Sequence, residues 1–110
     1  MGLPNANRAV VDDAKVRDYL LSPTHPVGRF KSAFFFALGF SVERWPLLRD
    51  ALLELARTGE ATPGQASSFG TKFEIRAKLV GSSGREAPVV TVWMVSSGQD
   101  FPHFVTAHPG

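Results

Sequence analysis

The chain has 110 residues, 44% apolar and 20% charged, values that suit one globular domain over residues 1–110, burying its own core without covalent staples. It contains no cysteine, which excludes a disulfide framework, a thiolate metal site and a thiol nucleophile and fits a reducing, cytoplasmic setting. Twelve Lys and Arg against ten Asp and Glu leave a net charge of +2, too little by itself to indicate nucleic-acid binding, and neither a membrane span nor a leader-type apolar stretch is visible.

Leu3 to Val11 reads as a lead-in, with a turn at Pro4 and Asn5 and a short extended piece over Ala9 to Val11. Asp12 is a good N-cap for a first helix over Asp13 to Leu21, with Val16, Tyr19 and Leu20 at helical spacing. Ser22-Pro23 ends it, because a residue before proline is pushed out of the helical region. Pro26 suits a first helical position, so a second helix is expected from Pro26 to Leu38, capped by Gly39. Ser41 opens a third helix, with Pro46 in its first turn and Gly59 past its end. Trp45, Leu48, Leu52 and Leu55 step along one face of it.

Glu60 to Gly70, made of Pro, Gly, Ser, Thr and Gln among others, reads as a long loop. From Thr71 the period changes from helical to two. Thr71 to Val80 is a strand, GSSGREAP a hairpin connection, Val89 to Val95 a second strand and His103 to His108 a third. Helices followed by strands predict an α+β fold: about three N-terminal helices packed on a C-terminal antiparallel sheet of about three strands. Alternation assigns Phe73, Ile75, Ala77 and Leu79 to the covered face, with Val90, Val92 and Met94 beside them. Lys72, Arg76, Lys78, Thr91 and Trp93 then fall on the open face. In the third strand Val105 and Ala107 inward would leave Phe104, Thr106 and His108 outward; Phe104 inward is the competing register.

Three features suggest chemistry. Lys31 lies inside the apolar arc of the second helix, since each helical residue turns by about 100°. It either snorkels into water or sits beside an anionic partner such as phosphate. His25 falls near the start of the same helix, where backbone N–H groups favour an anion. It reads either as an exposed capping residue or as a general acid or base. Arg29 falls on a solvated face. Trp93 with Lys72, Arg76 and Thr91 would form an aromatic platform ringed by cations, suited to stacking a base; Thr106 and His108 would extend it. Walker, G-x-G-x-x-G, H-E-x-x-H and G-x-S-x-G motifs are absent, and the three His lack metal-site spacing. No metal or cofactor is therefore expected.

The segments LPNANRAVVDDAKVRDYLL, HPVGRFKSAFFFALGF, PVVTVWMV and FVTAHP together resemble a bacterial family, domain of unknown function 6883, over nearly the whole chain. That family carries no activity to transfer. The order of helices and then an antiparallel meander is also similar to small ribonuclease toxins of the barnase, colicin and RelE kind. That second resemblance implies RNA as substrate and a cognate antitoxin or immunity protein as partner. It would put His25, Lys31, Thr91 and Thr106 in the cleft, with Arg76 on the phosphate and Lys72, Trp93 and His108 binding substrate. The rival expectation is a non-catalytic module that binds protein or nucleic acid.

Overall fold

The computed structural model describes every residue, Met1 to Gly110. After a single 3-10 turn at Ala6–Arg8, the helical part begins with α1, Asp13–Lys15, which widens at once into a π-turn over Val16–Leu20. The Leu21 N–H reaches back five residues to the Val16 carbonyl. This widening points Val16, Leu20 and Leu21 into the core and leaves Tyr19 half-buried. Next come α2, Arg29–Ala37, and α3, Trp45–Thr58. The α2 helix starts later than Pro26, because Pro23 to Gly28 fold as bends and turns held by side chains. The Ser22 hydroxyl accepts the His25 N–H, and His25 Nδ1 accepts those of Val27 and Gly28. Gly39, at φ +96°, lets the chain leave α2 in the left-handed region that side chains avoid. Leu48, Leu52 and Ala56 form the buried stripe of α3.

Four strands follow, not three: β1 Ala61–Ser67, β2 Gly70–Val80, β3 Glu86–Ser96 and β4 Pro102–Pro109. They pair antiparallel in the order β1-β2-β3-β4. The extra strand is the segment that reads as a loop. Its Pro and Gly content hides it, and only Ala61 among its residues is buried. It is an edge strand, where proline is tolerated because one row of backbone groups needs no partner. An irregularity between Pro63 and Ala66 interrupts its pairing with β2.

Cross-strand partners share a sheet face, and Phe73 pairs with Trp93, Ile75 with Thr91 and Ala77 with Val89. The covered face of β3 therefore carries Val89, Thr91 and Trp93, the reverse of the assignment that alternation suggests. The whole run Val89 to Thr91 is buried, along with Trp93, so hydrophobicity alone does not distinguish the two parities. Val90 lies on the other face, opposite Arg76 and His108. In β4 a bulge leaves Val105 without a partner: Thr106 faces Val92 and Phe104 faces Trp93. Phe104 and Ala107 are thus both buried. The Phe104 ring meets Trp93 edge-on at 5.3 Å, a geometry the aromatic quadrupole favours. Helix α3 packs on β2, while α1 and α2 pack on β4. The outer edge of β4 is covered by the lead-in: Val10 N–H bonds the Pro102 carbonyl and its own carbonyl accepts from Phe104, both at 2.9 Å.

Candidate functional site

The bulged edge of β4 faces the π-turn and the start of α2, and a cleft of about 660 Å³ opens between them. Tyr19, His25 and Val27 line it from the helical side together with Asp12, Ala14, Lys15 and Asp18. Val105 and Thr106 line it from β4. The π-turn brings Tyr19 to this cleft. Gly28 closes the geometry from behind: a Cβ built there would lie 1.8 Å from the Tyr19 carbonyl oxygen. Only glycine lets α2 come this near the π-turn backbone.

At the cleft wall, Lys31 Nζ donates to the Tyr19 hydroxyl and to Thr106 Oγ1, both at 2.7 Å, and those two oxygens lie 3.0 Å apart. Lys31 is half-buried behind this pair, and no carboxylate approaches it within salt-bridge distance: its charge meets only hydroxyls and a ring. The Tyr19 ring has the ammonium of Lys31 at 5.1 Å and that of Lys15 at 5.6 Å, with His25 set edge-on at 5.1 Å. Partial burial pushes the Tyr19 phenol up. The hydrogen bonds from Lys31 and Thr106, and the charges of Lys31 and Lys15, outweigh it, so its pKa falls below the ordinary 10.0. A tyrosine held this way is closer to giving up its proton than an exposed one.

His25 spends Nδ1 on two backbone N–H groups, both at 3.0 Å. A nitrogen that accepts carries no proton, so the neutral ring keeps its proton on Nε2. His25 is thus a cap that also offers one N–H donor. Asp18 is tied to Arg17, whose guanidinium holds the carboxylate below its usual range.

The structure joins His25, Lys31 and Thr106, and separates them from the other residues expected in the site. Thr91 and Trp93 have no exposure. The Trp93 indole donates to Thr91 Oγ1 at 2.9 Å, and Thr91 donates to the Ile75 carbonyl at 3.2 Å. Both residues belong to the core, and no aromatic platform stands on the open face. Arg76 sits there, exposed and 3.6 Å from Glu74. Lys72 borders a separate, smaller hollow beside β1, and His108 is exposed next to Pro109. Tyr19 and Lys15 are site residues that sequence reasoning did not single out. In Tyr19 the signal was a hydroxyl at an otherwise apolar helical position.

Among known proteins, a family model described as a domain of unknown function (DUF6883) matches residues 2–110. No curated protein matches the chain. Among solved structures, a chain of a contact-dependent growth inhibition toxin–immunity protein complex from Klebsiella pneumoniae 342 superposes with a TM-score of 0.70. The match covers 94% of this chain and 95% of that one at 16% sequence identity. At that identity the likeness is one of fold.

Proposed function

We propose that this chain, which belongs to the DUF6883 family of domains of unknown function, is a toxin-type endoribonuclease that cleaves without a metal, because its site pairs a lowered-pKa tyrosine with lysines. The observation that carries this reading is the Tyr19–Lys31–Thr106 cluster on the wall of an open cleft. RNA brings its own nucleophile, so the protein must supply a base, an acid and positive charge. Tyr19, as phenolate, takes the proton of the 2′-hydroxyl. The 2′-oxygen attacks the adjacent phosphorus, and the bond to the 5′-oxygen breaks. That oxygen takes a proton from the Lys15 ammonium, and solvent resets both groups. Lys31 stabilises the phenolate, Thr106 orients it, and the Nε2–H of His25 donates to a phosphate oxygen. The fold likeness to a chain of a toxin–immunity complex supports the toxin type and a cognate immunity protein as partner.

The test is incubation of the purified chain with RNA in EDTA. Products with 2′,3′-cyclic phosphate ends are expected, and 2′-deoxy substrates should stay intact. Tyr19→Phe, which keeps the ring and removes the base, should lower the rate roughly 10²–10⁴-fold. Arg57→Ala, on α3, is the control. Intact RNA with and without Mg²⁺, joined to normal growth on expression, would overturn the reading.

A further inference from the structure

Phe30 has 75% of its surface exposed, although it lies in a helix whose neighbouring positions Ser32 and Phe35 are buried. It takes no part in the core. Three residues back, in the turn that leads into α2, is Val27, whose carbonyl accepts the Phe30 N–H at 3.2 Å; it lines the cleft and is itself 53% exposed. The next residue, Lys31, is the cation behind Tyr19. An apolar ring and an apolar branched side chain therefore continue the cleft outward. The Arg29 guanidinium lies 4.8 Å from the Phe30 ring centroid and makes no ion pair with any carboxylate. A cation thus lies over the ring, and most of the residue's surface still faces solvent.

From this arrangement we infer a nucleobase subsite at Phe30: a base next to the phosphate in the cleft stacks on the ring, and Arg29 holds a flanking phosphate. The inference rests on the nuclease reading for the identity of the strand. Every base has a π-face, so stacking here is tolerant of sequence. A single strand is required, because a paired base is already stacked. Arg29 serves twice, polarising the ring from one side and neutralising one backbone charge.

The probe is a fluorescent single-stranded 2′-O-methyl oligonucleotide, which has no free 2′-hydroxyl and cannot be cut. Phe30→Ala should weaken its binding roughly 5- to 150-fold, the range of one stacked base. Phe30→Trp should retain affinity and Phe30→Leu should lose it, which separates stacking from mere apolarity. Arg29→Ala should weaken binding and lower the salt slope by about one. Affinity unchanged in Phe30→Ala, or retained in Phe30→Leu, would overturn the subsite and leave the ring to a protein contact. If the wild type cleaves by Tyr19 while binding ignores Phe30, the subsite fails and the nuclease stands. If nothing is cleaved but binding follows Phe30, the subsite stands alone. An oligonucleotide that does not bind at all ends both.

Discussion

Thr91 gives its hydroxyl proton to the Ile75 carbonyl and receives the indole N–H of Trp93, and neither side chain reaches solvent. The pair explains why an aromatic residue and a threonine, suited by type to a ligand surface, lie in the core instead: each satisfies the other. Thr91→Val keeps shape but strands the indole N–H and the carbonyl. It should cost about 1–3 kcal/mol, the price of unmade buried hydrogen bonds, visible as a lower denaturant midpoint with an unchanged slope. A shift below roughly 0.5 kcal/mol, the range of ordinary surface substitutions, would mean that the bond contributes little. Single residues were partly legible in the sequence. Lys31 stands out because it breaks an apolar arc, and His25 because it precedes a helix. Tyr19 does not stand out, because its role depends on a π-turn that no periodicity announces, and on a threonine 87 positions away.

Elements were legible wherever one period dominates. α3 and β2 alternate cleanly between buried and exposed positions, and their faces follow. β3 is apolar on both sides, so its parity had to come from its neighbours, and the bulge at Val105 shifts β4 by a residue that alternation cannot foresee. β1 is hidden because an exposed edge strand carries no apolar pattern at all. The joint between α2 and the π-turn is an element-level feature that rests on one residue. Gly28→Ala would drive a methyl into the Tyr19 carbonyl. Overpacking of this kind costs about 1–3 kcal/mol, and here the strain falls on the backbone that aims Tyr19. Cleavage should therefore drop more than the loss of folded protein accounts for, measured as rate per folded molecule by circular dichroism and RNA assay together. Gly2→Ala, where a Cβ meets nothing within 4 Å, should behave as the wild type. Equal rates in the two variants would show that the close approach does not position the site.

For the molecule as a whole, the order of helices and then strands was readable, because a change of period along the chain needs no tertiary knowledge. How the layers meet was not, and the cleft exists only where they meet. Its pH behaviour follows from Tyr19. The folded-state pKa is lowered, so the phenolate fraction, and with it cleavage, should climb as pH rises and level off below the ordinary tyrosine value of about 10. Tyr19→Phe should abolish that limb, and a flat wild-type profile from pH 7 to 10 would remove Tyr19 as the base. The same shift acts on stability with a definite sign. Its contribution is complete only above the unfolded pKa of about 10 and is lost as pH falls through the folded value, so near neutrality it adds nothing. Both effects rise over the same window, so the rate is to be taken per folded molecule, with circular dichroism at each pH. The two rims of the sheet are unequal in a way that bears on behaviour in concentrated solution. One is bridged at its start by Val10, while the other, β1, carries no charged side chain over ATPGQAS. Its break in pairing after Pro63, and the missing proline N–H, deny incoming chains a continuous ladder. The imperfection that made this strand hard to read thus also works against copies zipping together into fibres.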